Sequence, residues 1–458
     1  MERIDLKGKN ILVLGAGKSG ISACEFALDK KPAKVILSDS KPRSKWDEKA
    51  LSLEQKGVVI EAEGHNDSSV VDADVIIVSP GVPLSGSWYE TAKRQEKYIT
   101  GDIELAYQYD SSKVIAITGT NGKTTATMLT YEILKDQMGD KVAVGGNIGT
   151  PYLELVRQKK KYEYVVLEVS SFQLETIKVF KPFVASILNI TDDHLDRYAS
   201  MQEYAQAKAN IFKNQDENDV LILNSDDKFT GIMTSMAKRP KKIYFSAYEE
   251  LKDGYCMKGN EFVKMENGQA KKFFSTDGMN LIGKHNYANA LSCIITADAM
   301  GLDMTRAAET VRKFKPAGHR IEFVAEVAGK RFYDDSKGTN IDAVIKAVDT
   351  FNDDLALILG GREKNTDFTK LLNVLPKYVK KIIVFGENRE KLKGVFEKTH
   401  EVIVADTMED VVQKAAALSG VKVVLLSPGC ASFDMFKSYA HRGDEFKKYV
   451  MKAQKNEK

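Results

Sequence analysis

The chain has 458 residues, which is enough for about three domains of ordinary size. With 43% hydrophobic and 29% charged residues, its composition is typical of a globular protein and excludes extended disorder and collagen-like structure. The 67 basic residues almost balance the 64 acidic residues, so the formal net charge of +3 gives no reason to expect nucleic acid or an anionic membrane as a partner.

The cysteines, the N-terminus and the apolar runs indicate the cellular compartment in which the protein functions. The four cysteines stand far apart and form no C-x-x-C pair: Cys24, Cys256, Cys293 and Cys430. We therefore expect neither a disulfide framework nor a cysteine zinc site, which fits a reducing compartment. Residues 1–5 lack the regions of a signal peptide, and no apolar run approaches the ~18 residues that span a membrane. These features predict a cytoplasmic, multidomain protein of the size of an enzyme, without membrane insertion. We expect it to be a monomer.

The first hundred residues alternate strand and helix patterns, which predicts a doubly wound parallel sheet in the Rossmann manner. The predicted strands are residues 10–14, 35–37, 58–60 and 75–78. Gly15-x-Gly17-x-x-Gly20 follows the first strand, and Asp39 stands 19 residues beyond Gly20, as in a dinucleotide fingerprint. The alternative, a glycine turn needed only for sheet–helix packing, stays open. Ser79 ends the fourth strand, at the edge where such sheets bind ligands.

The segment 113–125 contains a phosphate loop. An apolar strand pattern over 113–118 runs into TGTNGKTT, and helical spacing follows. In this context the glycines let backbone N–H groups approach phosphate oxygens, Lys123 reaches the β- and γ-phosphates, and Thr124 is placed to hold Mg²⁺. Ile117 occupies the position where the full Walker pattern has its first glycine. The segment predicts an ATP-using protein, against the alternative of an ordinary turn with an incidental lysine.

Two strand ends downstream carry candidate metal ligands. Glu168 follows a strand at 164–167, where a metal-binding acid usually lies in such a domain. His194 follows the strand at 184–188 and stands among three aspartates, which favours a metal or phosphate role over a purely structural one. Lys208 lies in an amphipathic helix pattern, and from that pattern alone it is a solvated surface lysine.

A helix is predicted to begin near residue 283, with polar side chains that face a nucleotide. The polar stretch between 240 and 280 predicts hairpins of a small side sheet. A third α/β domain opens near 315–320, with strands at 321–324, 331–333, 355–359, 382–385 and 421–426. Polar segments follow several of these strands, so a ligand site is more consistent with the pattern than a packing module. The predicted domains are residues 1–101, 102–316 and 317–458.

Ten segments together resemble the Mur ligases of bacterial cell-wall synthesis: TGTNGKTT, GNIGTP, EVSSFQLE, DDHLDRY, YAQAKANIF, GKHNYANALS, GHRIE, DDSKGTN, LGGREK and LSPGCASFD. The resemblance implies an N-terminal Rossmann-like domain, a central P-loop ATPase-type α/β domain and a C-terminal Rossmann-like domain. Within the family, the chain most resembles the member that adds D-glutamate. It has the DSKGTN loop and lacks the DNPR motif. Folylpolyglutamate synthetases share the phosphate loop but not the N-terminal domain.

The resemblance also implies a reaction in peptidoglycan precursor synthesis. ATP phosphorylates the terminal carboxylate of UDP-N-acetylmuramoyl-L-alanine, and the amine of D-glutamate attacks the acyl phosphate, with release of ADP and phosphate. Phosphorylation supplies the leaving group that a carboxylate lacks. Catalysis of this kind is mostly positioning and charge neutralisation.

Site residues are implied by the same resemblance. The catalytic residues are Lys123, Glu168, His194 and Lys208. The ATP contacts are Gly119, Thr120, Asn121, Gly122, Lys123, Thr124, Thr125, Asn286, Arg320, Asp335 and Lys337. Thr124 and Glu168 serve one Mg²⁺, while His194 and Lys208, as a carbamate formed with CO₂, serve a second. The UDP substrate contacts are Lys18, Ser19, Gly20, Asp39, Ser40, Ser79 and Asn147. The D-glutamate contacts are Thr339, Lys364, Ser432 and Phe433.

Three other hypotheses for the function remain open. An NAD-dependent oxidoreductase would use GAGKSG and Asp39, but it gives no role to the phosphate loop or Glu168. A nucleotide-gated binding protein without chemistry would not need Lys123, Glu168, His194 and Lys208 together. Within the family, the alternative is a ligase that adds a different amino acid.

Overall fold

The computed structural model describes residues 3–158, 160–193, 197–316, 318–362 and 366–456. The chain forms two compact units, one of residues 1–278 with 288–313 and one of residues 279–287 with 314–458. His194 and Lys364, which the sequence analysis places in the site, lie outside the described residues. Within the described ranges, every helix is too short or too polar to cross a bilayer.

The first unit begins with a five-stranded parallel sheet of order β3-β2-β1-β4-β5. Its strands are β1 (Asn10–Leu14), β2 (Lys34–Ser38), β3 (Val59–Glu61), β4 (Val75–Val78) and β5 (Tyr98–Gly101). The helices are α1 (Lys18–Leu28), α2 (Glu48–Leu51), α3 (Asp67–Asp72), α4 (Ser87–Arg94) and α5 (Asp102–Tyr109). Apolar residues of β1 and β4 are buried on both faces, as expected of a parallel sheet covered by helices. The predicted Rossmann-type sheet is confirmed.

The second sheet of this unit has nine strands in the order β14-β13-β12-β11-β10-β9-β6-β8-β7. The strands are β6 (Lys113–Thr118), β7 (Val142–Gly146), β8 (Tyr164–Glu168), β9 (Val184–Ile187), β10 (Val220–Asn224), β11 (Lys241–Ser246), β12 (Gly254–Lys258), β13 (Glu261–Glu266) and β14 (Gln269–Ser275). The helices are α6 (Lys123–Met138), α7 (Tyr152–Arg157), α8 (Ser171–Leu174), α9 (Met201–Ala209), α10 (Thr230–Met236), α11 (Lys284–Ala299) and α12 (Met304–Lys313). Helix α11 belongs to this unit only from residue 288 onward. Short 3₁₀ segments span Arg43–Lys45, Ser52–Lys56, Gly139–Lys141 and Asn210–Phe212.

The expected separate side sheet at 240–280 is wrong. The hairpins β12–β13 and β13–β14 are present and antiparallel, but they extend the central sheet. The extension arises because β11 pairs in parallel with β10 and continues to β12 through Phe245↔Tyr255 and Ser246↔Cys256. The hydrogen-bonded ladder therefore continues without a break from the phosphate-loop strand to β14.

The second unit contains a six-stranded sheet of order β15-β16-β20-β17-β18-β19, parallel except for β15. The strands are β15 (Glu322–Val327), β16 (Lys330–Asp334), β17 (Leu355–Gly360), β18 (Val379–Phe385), β19 (Glu401–Val404) and β20 (Val423–Leu426). The helices are α13 (Ile341–Val348), α14 (Thr369–Leu372), α15 (Arg389–Phe396), α16 (Met408–Ala417) and α17 (Tyr439–Asn456). Separate apolar clusters cover its two faces.

The central sheet brings the predicted catalytic segments to one edge. Strands β9, β6, β8 and β7 are neighbours and run parallel, so their carboxyl ends lie side by side. The phosphate loop follows β6, and Glu168 ends β8. Segments that contain Asn147 and Asn189 follow β7 and β9. This is the edge at which parallel α/β sheets bind ligands.

Candidate active site

The phosphate loop joins the end of β6 to the start of α6. Gly122 is the N-cap of α6 with φ +84°, and a Cβ there would lie 2.2 Å from Oδ1 of Asn289. Both the backbone angle and the lack of space require glycine at this position. The Lys123 ammonium donates to the carbonyl oxygens of Gly119 and Thr120, each at 2.8 Å. The positive end of a sixteen-residue helix and a lysine thus face the same loop.

Asn189, at the carboxyl end of β9, holds this loop in place. Its Oδ1 accepts from the Asn121 N–H at 2.8 Å, and its Nδ2 donates to the Asn121 carbonyl at 3.0 Å. Its own carbonyl accepts from the Thr120 N–H at 2.9 Å. Two backbone N–H groups of the loop are therefore bound to Asn189, so a phosphate would meet the start of α6 rather than these two amides. Asn189 is not among the predicted site residues, although its position at the end of a strand beside β6 could have indicated it.

Glu168 is buried between two polar side chains. It is 2% exposed, and its Oε2 accepts from the Thr124 hydroxyl at 2.8 Å. Its Oε1 accepts from Nδ2 of Asn147 at 2.7 Å. The structure thus brings together Thr124 and Glu168, which were predicted to share a metal ion. A carboxylate beside a hydroxyl is a ligand set that suits Mg²⁺.

Lys208 of α9 is 1% exposed, so the surface position that its helical pattern suggested is wrong. Its ammonium donates to the Gly119 carbonyl at 3.0 Å and lies 4.6 Å from the centre of the Tyr204 ring. Burial lowers the pKa of Lys208 well below its ordinary value, and nearby Lys123 lowers it further, while Asp193 and Glu168 act in the opposite direction. Burial arises because α9 packs against a loop that lies 89 residues earlier in the chain.

The glycine turn of the first sheet is held in place by hydrogen bonds to neighbouring strand ends. A Cβ on Gly20 would lie 1.8 Å from the Gly15 carbonyl oxygen, so only glycine fits. The Asp39 carboxylate accepts from the Ala16 N–H at 2.8 Å, and the Ser79 hydroxyl donates to the Gly15 carbonyl at 3.1 Å. Asp39 and Ser79, both predicted ligand contacts, therefore hydrogen-bond to this turn from the ends of β2 and β4.

The other predicted residues of this loop differ in exposure. Lys18 and Ser40 are exposed, whereas Ser19 is half-buried. A cavity of about 530 Å³ beside the turn is lined in part by Gly17, Lys18, Gly149 and Thr150. The glycine turn and the segment that follows Asn147 thus share one cavity, which is large enough for part of a substrate.

Asp102, which is not among the predicted site residues, links the first sheet to the central sheet. Its buried carboxyl accepts from the Ser19 hydroxyl at 2.9 Å and from Nε2 of Gln173 at 3.1 Å. Burial raises the pKa of Asp102, against the effect of these two donors. A lone acid at the start of a helix carries no sequence signal for such a link.

In the second unit, two loops carry predicted nucleotide and D-glutamate contacts. Asp335 is buried and accepts from the Ser427 hydroxyl at 2.7 Å. Burial raises the pKa of Asp335 to about 7, although Ser427 and Arg320 both favour the charged form. The Gly429 N–H donates to the Gly338 carbonyl at 2.8 Å, which joins the two loops directly.

The remaining predicted residues of this unit differ in their surroundings. Lys337 lies 5.1 Å above the Tyr439 ring, and the Asn286 side chain donates to the Ile282 carbonyl at 2.8 Å. Thr339 is half-buried and Ser432 is buried, while Phe433 is 62% exposed. The structure thus places Ser432 inside its loop and Phe433 on the surface.

Family models match three consecutive parts of the chain. They are described as the Mur ligase MurD-like N-terminal domain at residues 9–101, the Mur ligase middle domain at 117–297, and the Mur ligase glutamate ligase domain at 319–430. The order of these matches agrees with the three α/β sheets described above.

Similar proteins cover almost the whole chain. The UDP-N-acetylmuramoylalanine--D-glutamate ligase of Pelotomaculum thermopropionicum is 40% identical over 98% of this chain and 99% of its own. The same-named ligase of Koribacter versatilis is 41% identical over 99% of this chain and 100% of its own. The MurF ligase of Thermotoga maritima, solved in complex with ADP, matches the fold with a TM-score of 0.57 at 18% identity, over 93% of this chain and 96% of that one. The resemblance indicated by the motifs is confirmed: the chain belongs to the Mur ligase family.

Proposed function

We propose that this protein is an ATP-dependent carbon–nitrogen ligase that adds D-glutamate to UDP-N-acetylmuramoyl-L-alanine. The reaction proceeds through an acyl phosphate and releases ADP and phosphate, as a step of peptidoglycan precursor synthesis. The names of the two relatives at about 40% identity support the substrates. The observation that carries the proposal is the convergence of Lys123, Lys208 and the Thr124–Glu168 pair around the phosphate loop.

The chain's own residues supply binding and charge neutralisation for phosphoryl transfer. Lys123 and the start of α6 neutralise the phosphates of ATP, which lets the substrate carboxylate approach the γ-phosphate. Once the acyl phosphate has formed, the D-glutamate amine attacks its carbonyl carbon and phosphate leaves. Asn189 and Gly122 keep the loop in the shape that this transfer needs, because positioning supplies much of the rate enhancement.

Magnesium fits the oxygen ligands that Thr124 and Glu168 present together. When bound, it would neutralise charge on the phosphate oxygens. We assign His194 and Lys208 to a second Mg²⁺. The lowered pKa of Lys208 supports its conversion to a carbamate, because CO₂ reacts with a neutral amine. A carbamate would also replace a buried cation with a metal-binding anion.

The substrate contacts remain those implied by the resemblance. Lys18, Ser19, Gly20, Asp39, Ser40 and Ser79 hold the UDP end, and the cavity beside Lys18 supports this assignment. Asn147 holds the muramoyl end. Asn286, Arg320, Asp335 and Lys337 contact ATP, while Thr339, Lys364, Ser432 and Phe433 contact D-glutamate. We further propose that the protein is a cytoplasmic monomer with domains at 1–101, 102–316 and 317–458.

The test is phosphate release with ATP, Mg²⁺ and UDP-N-acetylmuramoyl-L-alanine, to which single amino acids are added in turn. Release that requires D-glutamate, and does not occur with L-glutamate, L-lysine or diaminopimelate, would support the proposal. Release with another acceptor would retain the mechanism and refute the assigned amino acid. Release with none of them would refute the ligase assignment.

A further inference from the structure

Arg442 of α17 is a completely buried cation for which the proposed reaction has no role. It is 0% exposed and is the largest fully buried side chain in the described part of the protein. Its Nε donates to the Ser336 hydroxyl at 2.9 Å, and its Nη2 donates to the Ser336 carbonyl at 2.8 Å. Its Nη1 donates to the Cys430 carbonyl at 3.0 Å and lies 3.5 Å from the Gly360 carbonyl.

The acceptor residues stand at the carboxyl ends of three neighbouring strands, β16, β20 and β17. Ser336 and Cys430 lie on the loops that follow β16 and β20, and Gly360 is the last residue of β17. Ser336 stands between Asp335 and Lys337, the proposed ATP contacts. Cys430 stands two residues before Ser432, a proposed D-glutamate contact. One guanidinium therefore holds the nucleotide loop, 334–340, and the amino-acid loop, 427–433.

The hydrogen-bonding pattern requires arginine. Burial of a cation is costly, and the donors of Arg442 meet carbonyl and hydroxyl oxygens rather than a carboxylate. Burial lowers the pKa of Arg442 only to about 10, so the side chain stays charged at neutral pH. Its planar fork aims N–H groups in fixed, divergent directions, whereas a lysine ammonium is a single point on a flexible stem.

Neighbouring glycines make room for this arrangement. A Cβ on Gly361 would lie 3.1 Å from Nη1 of Arg442 and 2.3 Å from the Ala431 carbonyl oxygen. A Cβ on Gly443 would lie 2.1 Å from Nδ1 of His319, so α17 packs very close to the segment that carries Arg320. Both glycines permit contacts that any larger residue would prevent.

We propose that Arg442 is a positioning residue that holds the nucleotide loop and the amino-acid loop in a fixed relative arrangement. The inference deepens the proposed function and rests on it for the identity of the two ligands. The loop linkage itself does not depend on that identity. Arg442 does not touch the reacting atoms, and it acts through Ser336 and the Cys430 carbonyl.

The first test is hydrogen–deuterium exchange of the full-length protein without ligands. R442K keeps the charge but loses the fork, and K448M, at an exposed position of the same helix, is the matched control. We expect faster exchange in both 334–340 and 427–433 for R442K, and no change for K448M. If either loop exchanges at the wild-type rate in R442K, the linkage is refuted, whatever the substrates are.

The second test is steady-state kinetics of the same variants. We expect R442K to raise KM for both ATP and D-glutamate by about tenfold, the effect of losing one or two hydrogen bonds to a charged group. KM for the UDP substrate should stay within about twofold, because that site lies in the first unit. A lower melting temperature with unchanged KM values would make Arg442 merely structural and overturn the inference. Wild-type protein without D-glutamate-dependent turnover would refute the proposed function, and the exchange experiment would still decide the role of Arg442.

Discussion

Lys123 and Lys208 donate hydrogen bonds to the same carbonyl oxygen, that of Gly119, at 2.8 and 3.0 Å. Two ammonium groups around one acceptor repel each other, and one of them is completely buried. Burial lowers the pKa of Lys208, and the neighbouring charge of Lys123 lowers it further. The phosphate loop therefore has, beside the lysine proposed to bind phosphate, a second, buried amine whose pKa is lowered.

Replacement of Lys208 by Met should separate stability from activity. Met fills a similar volume without a buried amine, so we expect the melting temperature at pH 7 to stay equal or rise. Phosphate release should fall by about 100-fold or more, because a proposed ligand of the second Mg²⁺ is lost. Calorimetry and a phosphate assay on the same preparation check this. A melting temperature lowered by several degrees would contradict it.

The pH dependence of unfolding should also change in K208M. Folded wild-type protein has a lowered pKa at Lys208, so it releases a proton that the unfolded chain still binds. The free energy of unfolding of the wild type should therefore rise with pH up to the ordinary lysine pKa of about 10.4. K208M should lack this contribution. Urea unfolding of both proteins at pH 7 and 9 measures the difference.

Glu168→Gln should slow turnover strongly with little change in fold. The amide can accept from only one of its two neighbours, Thr124 and Asn147, and it lacks the charge that a metal ion requires. We expect kcat to fall by about 100-fold. Glu163→Gln, just before the same strand and 53% exposed, is the matched control and should keep wild-type activity. Wild-type kcat in E168Q would show that the carboxylate has no catalytic role.

Asn189→Ala should weaken ATP binding specifically. The substitution removes both side-chain hydrogen bonds to Asn121, so the phosphate loop loses its fixed shape. We expect KM for ATP to rise by about tenfold, with KM for D-glutamate unchanged. Asn214→Ala removes a comparable pair of bonds, to the Lys178 and Phe180 carbonyls, and serves as the control. Equal effects of both variants on KM for ATP would indicate general destabilisation.

The two helix-proximal glycines of the first turn should respond differently to Ala. A Cβ at Gly20 would clash with the Gly15 carbonyl, whereas a Cβ at Gly17 meets nothing within 4 Å at an ordinary φ of −78°. We expect G20A to lose about 1–3 kcal/mol of stability and G17A to stay close to the wild type. Scanning calorimetry of the two variants and the wild type measures these differences in stability. A stable G20A would mean that the turn opens more easily than its packing suggests.

Asp335→Asn should stabilise the second unit at alkaline pH. Because burial raises the pKa of Asp335 to about 7, the folded chain keeps a proton that the unfolded chain loses near pH 4. Wild-type stability should therefore fall as pH rises from about 4 to 7, while D335N escapes this loss. The gain at pH 8 should reach up to about 4 kcal/mol in urea unfolding without ligand, and it should vanish near pH 4. Lower stability of D335N at pH 8 would contradict the assigned cause.

Much of the fold could be predicted because the apolar runs of the parallel strands are distinct. Strand β7 was not predicted, since it ends in Gly145 and Gly146, and glycine is unusual in strands. The structure explains the glycine at 146, because a Cβ there would lie 2.4 Å from the Glu168 carbonyl oxygen. The β-propensity of a segment does not show how closely a neighbouring strand approaches it.

The site residues could be predicted only in part, for a similar reason. The pattern around Lys123 and Thr124 is local, so it could be identified from sequence. Lys208 lies in a helix whose pattern predicts exposure, and Arg442 is not among the predicted site residues. Each donates to an acceptor far away in the chain, at a separation of 89 residues for Lys208 and of 106 residues for Arg442. A buried charge is recognisable only when the distant carbonyl oxygens that receive its hydrogen bonds are known.

The chain passes between its two compact units three times, at 278–279, 287–288 and 313–314. Residues 279–287 include Ile282, which packs against the apolar cluster on one face of the third sheet. A fragment that begins at residue 314 would therefore expose part of that cluster to water and would lack His285, which is half-buried and whose pKa is affected by the charges of Lys346 and Arg320. Expression of the second unit by itself requires the 279–287 segment to be fused back onto it, so no single truncation point yields an intact C-terminal half.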